Sequence, residues 1–236
     1  MVILGEVHDN AAHHLNQARA VAAIRPTAVV WEMLSPAQVA GMDPEASGTP
    51  ETLARSLDWE AGGWPDFTLY WPIFEAARGV PVVGAALPRE TVRRAVGEGA
   101  AAPFGDGAAR YGLTEALPEA EQALREAEQM RGHCDALPEA MLGGMVEAQR
   151  LRDAAFARAV VEAQARYGSP VVLITGNGHA HTDRGVPAAL AFAAPELSVL
   201  SVGQLEGGPD ETAPPYDLWL VTEAAAREDP CAVFAK

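Results

Sequence analysis

The sequence predicts an α/β domain in which helices cover both faces of a mostly parallel β-sheet. Short apolar or β-branched runs recur along the 236 residues, and segments with helical spacing lie between them. This alternation is typical of parallel sheets, because the crossover between two parallel strands usually contains a helix. Hydrophobic residues make up 49% of the chain and charged residues 21%, a balance that favours a buried core over disorder.

Six runs are predicted to be buried strands because they are short, apolar and separated by helical or turn-rich segments. They cover residues 2–4, 27–31, 81–85, 171–175, 198–202 and 218–221. A first helix is predicted directly after the first strand, since apolar residues between positions 11 and 22 share one helical face and Asp9 or Asn10 can cap it. Further helix starts are predicted after Ser35 and Leu87, where a proline fits the first helical turn.

Residues 97–144 differ from the rest of the chain, because they are rich in glycine, alanine and acidic residues and contain no strand candidate. Residues 118–130 of this segment are predicted to be helical. A long helix is predicted from residue 138 to residue 167, beyond the end of the segment. We interpret residues 97–144 as a helical lid inserted into a single domain that spans residues 1–236.

The net charge of −15 argues against a nucleic-acid partner, because such proteins gain most of their affinity from Lys and Arg side chains that neutralise phosphates. No apolar run approaches the ~20 residues that a membrane-spanning helix needs. The first predicted strand begins at once, with no secretory leader, which indicates either a cytosolic protein or one whose leader has been removed.

The two cysteines, Cys134 and Cys231, are far apart in sequence and show no metal-binding spacing. This pattern favours two free thiols, with a disulfide as the alternative, because pairing depends on distances in the fold.

Titratable side chains follow three of the predicted strands. Glu6 and His8 follow the first, Glu32 follows the second, and His179 follows the fourth. The carboxyl ends of parallel strands lie at one edge of a sheet, which is where ligands bind in open α/β folds. We therefore predict that these four residues meet there and form the functional site.

The pattern Gly-x-x-His occurs at two of these strand ends, as Gly5 to His8 and as Gly176 to His179. The pattern alone is weak, because 22 glycines and six histidines produce such matches by chance. Its position strengthens it, since glycine lets the backbone turn sharply off a strand and approach a ligand closely.

The chemistry of the predicted site is open at this stage. A carboxylate after an apolar strand is costly unless it is paired, so Glu6 and Glu32 could be structural caps or ion-pair partners. Alternatively, two carboxylates and two imidazoles can bind a divalent metal or position a histidine as a general base. At most one of the neighbours His13 and His14 is expected to face the site.

Two further groups of residues are predicted to be structural. His133 lies in the predicted lid and is expected to be solvated or structural. The aromatic residues between positions 59 and 71 are expected to be core, although they could also wall a planar ligand.

Several segments together resemble the ChaN-like haem-binding lipoprotein family. The most specific are the GE-x-HDN opening and the GNGHA segment, and the likeness covers nearly the whole chain. The matching segments are residues 4–10, His13-His14, Glu32-Met33, residues 64–66 and 70–72, Ala148-Gln149, Arg152-Asp153 and residues 176–180. This family belongs to a wider group that includes Tiki-type metalloproteases, TraB-like proteins and erythromycin esterases.

The resemblance implies an α/β fold, a periplasmic or outer-membrane-anchored lipoprotein, and a role in haem or iron uptake. It also implies haem as the cofactor, bound under the lid, and the protein could form a homodimer. The chain departs from the family because it shows no leader or lipobox cysteine. Residues expected to contact haem are His8, His14, Tyr70, Gln149, Arg152 and His181.

Two functions therefore compete. In the first, the protein binds haem through a histidine, tyrosine or methionine ligand. In the second, it is a hydrolase in which Glu6, His8, Glu32 and His179 bind a divalent metal or activate water, with Arg152 and Asp153 as supports. In a third hypothesis, the protein is a scaffold that only binds partners, and the polar cluster has a structural role.

Overall fold

The computed structural model describes residues 1–43, 48–208, 213–229 and 231–232. Within these residues, six strands form one parallel sheet in the order β3-β2-β4-β1-β5-β6. The strands are β1 (Val2–Glu6), β2 (Ala28–Trp31), β3 (Val82–Gly84), β4 (Val171–Gly176), β5 (Leu200–Glu206) and β6 (Leu218–Thr222).

Helices connect most of the strands, and a short 3-10 helix spans Ala108–Tyr111. The α-helices are α1 (Ala11–Ile24), α2 (Pro36–Ala40), α3 (Pro50–Ser56), α4 (Trp59–Gly62), α5 (Phe67–Ala76), α6 (Arg89–Glu98), α7 (Ala101–Phe104), α8 (Glu119–Gly132), α9 (Glu139–Tyr167), α10 (Asn177–Ala180) and α11 (Val186–Ala193). None of the described helices is both long and apolar enough to cross a membrane.

The α/β fold class predicted from the sequence is confirmed. On one face of the sheet, Leu4, Trp31 and Ile174 belong to a core cluster that also contains side chains of α1 and α5. Because side chains alternate between the two faces of a strand, their neighbours Ile3 and Leu173 point to the other face, and both are also buried. A parallel sheet buried on both faces is the expected result of helical crossovers.

The predicted starts of α1 and α2 agree with the structure, whereas α6 begins at Arg89, so that Pro88 is its N-cap and not part of its first turn. Asn10 caps α1, because its side-chain oxygen accepts hydrogen bonds from the backbone amides of Ala12 and His13 at 3.0 and 3.4 Å. Ser35 and Gln38 form a capping box at α2. These caps fix the path of the chain as it leaves β1 and β2, where the predicted site lies.

The chain divides into two compact units. The first contains Met1–Ala86 and Phe156–Ala225, and therefore all six strands. The second contains Leu87–Ala155 together with the C-terminal segment from Ala226. It includes the predicted insertion at residues 97–144 but begins earlier and takes in the end of the chain. Whether it acts as a lid over a ligand stays a prediction.

The expectation of two free thiols is wrong, because Cys134 and Cys231 form a disulfide. Both cysteines lie in the second unit, and the bond joins positions 97 residues apart in sequence. Their separation in sequence concealed a proximity that only the fold creates. The disulfide is also the covalent reason that the C-terminal segment belongs with this unit.

The disulfide predicts a specific pattern of thiol reactivity and stability. In denaturant, a thiol reagent should find no reactive cysteine before reduction and two after it. Reduction should destabilise the second unit by about 2–4 kcal/mol, because the reduced unfolded chain gains conformational freedom. Urea unfolding with and without reductant measures this change. A Cys134→Ser, Cys231→Ser double variant should match the reduced protein and ignore reductant, and equal stability of all forms would contradict the prediction.

Candidate functional site

The sheet register places the predicted residues side by side at its carboxyl edge. Glu6, the last residue of β1, lies beside Gly176, the last residue of β4. On the other side of β4, Trp31 of β2 pairs with Ile174, and the backbone amide of Glu32 donates to the carbonyl of Ile174 at 3.1 Å. β4 therefore lies between β1, which ends in Glu6, and β2, which Glu32 follows.

Glu6 is buried and contacts three side chains. Its Oε1 lies 2.8 Å from Nδ1 of His8 and accepts a hydrogen bond from the hydroxyl of Tyr70 at 2.9 Å. Its Oε2 lies 3.2 Å from Nε2 of His14, although the geometry of that pair is not that of a good hydrogen bond. The carboxylate therefore sits among two imidazoles and a phenol.

His8 is oriented by Glu6. Because an ionised carboxylate only accepts hydrogen bonds, the proton of the neutral imidazole belongs on Nδ1, which leaves the lone pair on Nε2. No described residue forms a hydrogen bond with Nε2. The side chain is 32% exposed, and its ring lies 4.9 Å from the ring of Trp64, centre to centre. His8 thus presents a lone pair next to an aromatic surface.

Glu32 is held by a different set of groups. Its Oε2 accepts hydrogen bonds from the hydroxyl of Thr175 and from the backbone amide of Gly176, each at 2.7 Å. Its Oε1 lies 3.4 Å from Nε2 of His179, which lies in α10 and packs edge-on against Phe156. Glu32 and His179 thus form a second carboxylate–imidazole pair.

The two pairs meet over Gly176. A Cβ atom at this position would lie 2.9 Å from Nε2 of His8 and 3.7 Å from Oε2 of Glu32. The first distance is too short for a carbon atom to fit without movement of the ring. The absence of a side chain at Gly176 therefore leaves the space in which His8 approaches Glu32.

The pKa values of these groups reflect the balance between burial and pairing. Burial alone raises the pKa of Glu6, but the close contacts and charge attraction of His14 and His8 outweigh it, so the pKa lies below its usual value. Burial likewise opposes ionisation of Glu32, yet His179, His8 and the amide of Gly176 hold its pKa well below the usual range. The site therefore keeps both carboxylates charged.

His8 shifts in the opposite direction. Burial lowers its pKa, but the hydrogen bond that it donates to Glu6 and the charges of Glu32 and Glu6 raise it above the usual value, against a smaller opposing effect of His179. Tyr70 is buried beside Glu6, and both effects raise the pKa of its hydroxyl far above the usual value. Tyr70 therefore stays protonated and donates to Glu6.

Of the two adjacent histidines on α1, His14 contacts Glu6, while His13 binds elsewhere. The backbone amide of Val7 donates to Nδ1 of His13 at 2.9 Å, so this nitrogen carries no proton. Its Nε2 therefore donates to the hydroxyl of Thr222, 2.8 Å away. With both ring nitrogens engaged, His13 ties the end of β6 to the turn after β1.

The remaining predicted residues lie in other places. His181 follows α10 and packs edge-on against the ring of Tyr216. Gln149 and Arg152, together with the buried Asp153, belong to the part of α9 that lies in the second unit. A role for these residues in ligand binding stays a prediction. His133 is exposed in the second unit, where its Nδ1 lies 2.7 Å from the carbonyl oxygen of Gln129.

Sequence reasoning missed several residues that shape the site. Thr175 was predicted only as a strand residue, although its hydroxyl holds Glu32. Asn177 was part of a matched motif without a role, but its side chain bonds the backbone of Gln204 in β5 through Nδ2 and Oδ1. A polar residue inside or just after an otherwise apolar strand was the signal for both.

The aromatic residues divide between the core and a cavity. Trp59, Phe67 and Tyr70 are buried in the main core cluster, as the sequence favoured. A half-open cavity of about 540 Å³ lies among α3, α4 and the start of α5, and Trp59, Trp64 and Phe67 contribute to its lining. Trp64 thus borders this cavity and also contacts His8.

In the described part of the chain, no three His, Cys, Asp or Glu side chains are arranged to hold a metal ion. Within each of the two pairs, the carboxylate and the imidazole contact each other directly. A metal-binding role for Glu6, His8, Glu32 and His179 stays a prediction.

Fold and site together define a parallel α/β protein with a carboxylate–histidine cluster at the carboxyl edge of its sheet. The chain belongs to the family described as "Haem-binding uptake, Tiki superfamily, ChaN", whose profile matches residues 1–190. This confirms the resemblance that the sequence motifs predicted. No curated protein matches the chain.

Two solved structures illustrate the shared architecture. The chain is similar to ChaN of Campylobacter jejuni, a structure described by its cofacial haem binding, with a TM-score of 0.67 and 18% identity over 92% of this chain and 85% of that one. It is also similar to a histidine mutant of the erythromycin esterase EreC in its open conformation, with a TM-score of 0.46 and 14% identity over 91% and 74% of the two chains. The first likeness establishes the fold.

The pKa shifts predict how stability depends on pH. The lowered pKa values of Glu6 and Glu32 contribute stability above about pH 4.5, which is lost as the pH falls through their folded-state values. The raised pKa of His8 contributes stability below about pH 6.5, which is lost as the pH rises through its folded-state value. Stability should therefore decline on both sides of this window.

A substitution isolates the contribution of one carboxylate. Glu32→Gln should remove part of the loss of stability that occurs at acid pH. The free energy of unfolding of this variant should therefore approach that of the wild type as the pH falls below about 4.5. Urea unfolding followed by circular dichroism across the pH range measures this. Glu75→Gln, at an exposed position on α5, is the control and should leave the profile unchanged. Parallel profiles for Glu32→Gln and the wild type would contradict the prediction.

Proposed function

We propose that this protein binds haem at the carboxyl edge of its sheet and serves bacterial haem or iron acquisition. Membership of a haem-binding uptake family supports the ligand. The proposal also draws on the ChaN structure of the same fold, which is described as binding haem.

The observation that carries the proposal is the orientation of His8. Haem iron takes a neutral imidazole nitrogen as an axial ligand, and such histidines commonly donate their other ring nitrogen to a carboxylate or carbonyl group. Glu6 occupies that position at Nδ1, while Nε2 has no hydrogen bond from a described residue. His8 is therefore assigned as the axial ligand.

The surroundings of His8 suit a flat, largely apolar ligand. Trp64 lies beside the imidazole and can contact a macrocycle face. Tyr70 and His14 touch Glu6 and so act on the ligand through Glu6 and His8. The family resemblance adds Gln149 and Arg152 of α9 to the proposed haem contacts.

The proposed compartment is the periplasm or the periplasmic face of the outer membrane. A disulfide supports this location, because such bonds persist in oxidising compartments and are rare in the bacterial cytosol. Haem acquisition also requires a protein to meet its ligand outside the cytoplasm.

Haemin titration tests the proposal. The purified protein should give a saturable Soret shift distinct from that of haemin adsorbed nonspecifically to albumin. His8→Ala should weaken binding by about tenfold or more and change the spectrum, because the iron loses a ligand oriented by Glu6. His133→Ala is the matched control, since it removes an exposed histidine of the second unit. Equal spectra and affinities for the two variants would defeat the assignment of His8.

A hydrolase is the second candidate, and the second carboxylate–imidazole pair favours it. Glu32 and His179 are buried next to the first pair. The cluster therefore contains more titratable side chains than an apolar haem slot requires. In this proposal the cluster binds a divalent metal or one histidine activates water for attack on an ester or peptide.

Metal analysis separates the metal-dependent hydrolase from the haem protein. Wild-type protein purified without chelators should carry a near-stoichiometric divalent metal if Glu6, His8, Glu32 and His179 are ligands, and a His8→Ala, His179→Ala double variant should lose it. Equal and negligible metal in both proteins would eliminate this mechanism. A screen of ester substrates with the same two proteins tests the metal-free version, in which only the wild type should be active.

A further inference from the structure

Glu32 is a buried carboxylate to which haem binding through His8 assigns no role. Its Oε2 accepts 2.7 Å hydrogen bonds from the hydroxyl of Thr175 and from the backbone amide of Gly176. Thr175 belongs to β4 and is completely buried. Two donors on one oxygen fix the orientation of the carboxylate and favour its ionised form. The structure therefore holds a negative charge at a defined place beside β4.

This charge lies close to the nitrogen that is assigned to the haem iron. Nε2 of His8 and Oε2 of Glu32 lie 2.9 and 3.7 Å from the point where Gly176 would carry a Cβ atom. The charge of Glu32 already acts on the ring. Burial lowers the pKa of His8, but the hydrogen bond to Glu6 and the charge of Glu32 raise it. A metal bound at Nε2 is subject to the same charge.

Neither carboxylate contacts a lysine or an arginine in the described part of the chain. The partners of Glu6 and Glu32 are imidazoles, hydroxyl groups and one backbone amide, supplied by His8, His14, Tyr70, Thr175, Gly176 and His179. Hydroxyl and amide donors stabilise an anion without cancelling its charge. The site thus has two buried anions without a fixed cation beside them, and a ligand with a positively charged centre supplies what is missing.

The two oxidation states of haem differ in this respect. The porphyrin dianion cancels the charge of ferrous iron, whereas ferric haem keeps a positive charge at its centre. Burial and hydrogen bonds to the axial ligand are the means by which proteins set the relative stability of these two states. Glu6 acts in the same direction as Glu32, because a carboxylate that accepts the Nδ1 proton makes Nε2 of His8 a stronger electron donor.

We propose that Glu32, positioned by Thr175, is a specificity-determining residue that makes this site bind ferric haem in preference to ferrous haem. The inference rests on the proposed haem-binding function and on His8 as the ligand of the iron. It extends that function, because it assigns a role to Glu32 and an oxidation state to the ligand. Thr175 is a positioning residue, since it acts on the ligand only through Glu32.

Porphyrins of fixed metal charge test this preference without a redox reaction. Gallium(III) and zinc(II) protoporphyrin share the macrocycle and the propionates but differ in the charge of the centre. Glu32→Gln should lower the ratio of the gallium(III) affinity to the zinc(II) affinity by about tenfold relative to the wild type. Intrinsic differences between the two metals cancel in this comparison. Glu75→Gln removes the same charge from an exposed position on α5 and should leave the ratio unchanged.

The outcomes separate this inference from the function on which it rests. A ratio that is the same in Glu32→Gln and in the wild type overturns the role of Glu32 while haem binding stands. Wild-type protein that binds neither haemin nor the two other porphyrins defeats the proposed function, and this inference with it.

Thr175 provides a second test that leaves Glu32 in place. Thr175→Val keeps the shape of the side chain but removes the hydroxyl donor, and it should lower the affinity ratio by about threefold. Thr175→Ser keeps the hydroxyl and should restore the wild-type ratio. A general disturbance of folding would weaken the binding of both porphyrins alike, so the ratio distinguishes positioning from a structural effect. Equal ratios for the valine and serine variants would overturn the role of Thr175.

A redox titration of the haem-loaded protein gives an independent measurement. A tenfold change in relative affinity corresponds to about 59 mV for a one-electron couple, so Glu32→Gln should raise the reduction potential of the bound haem by about this amount. Glu75→Gln should leave the potential unchanged. A potential that stays constant or falls in Glu32→Gln would contradict the inference. Circular dichroism should confirm that each variant keeps the wild-type fold.

Discussion

The burial of two carboxylates at one edge of the sheet is the constraint on which the site depends. Glu6 and Glu32 follow apolar strand residues and are largely removed from water, where an unpaired charge costs several kcal/mol. The protein compensates Glu6 with two imidazoles and a phenol, and Glu32 with a hydroxyl, a backbone amide and one imidazole. The neighbours of each carboxylate are thus determined largely by the need to hold its charge.

The same constraint explains why the two Gly-x-x-His elements occur together. Gly176 of the second element leaves room for the ring of His8 from the first. Gly5 of the first leaves room for the side chain of Asn177, whose Oδ1 would lie 2.5 Å from a Cβ atom there. Because β1 and β4 are adjacent and in register, each glycine accommodates a side chain from the other element. The two motifs are therefore one packing unit, which a count of chance matches in sequence cannot show.

Much of the fold was predictable because its signals are local. All six predicted strands occur, and α9 begins and ends within a residue of its prediction, since apolar runs and helical periodicity report directly on burial. The proximity of Glu6, Glu32 and His179 followed from parallel topology, which needs only the order of strands and helices. The prediction that failed and the contacts that were missed depend on distances between residues that are far apart in sequence. The Cys134–Cys231 bond and the hydrogen bond from Tyr70 to Glu6 are examples.

The exposure of β6 was equally hidden from the sequence, because an apolar run reads the same in the centre of a sheet and at its edge. The structure also connects this edge to the functional site. Thr222 at the end of β6 accepts the hydrogen bond of His13, and the side chain of Asn10 donates to Glu206 of β5 and to the carbonyl of Glu223.

These bonds hold the turn between β1 and α1, which is the turn that carries His8. They tie the end of β6 and the carbonyl of Glu223 to Asn10 and His13, so the position of this turn depends on the edge of the sheet as well as on Glu6. The buried charges at the carboxyl edge and the exposed apolar strand β6 are thus connected by one set of hydrogen bonds.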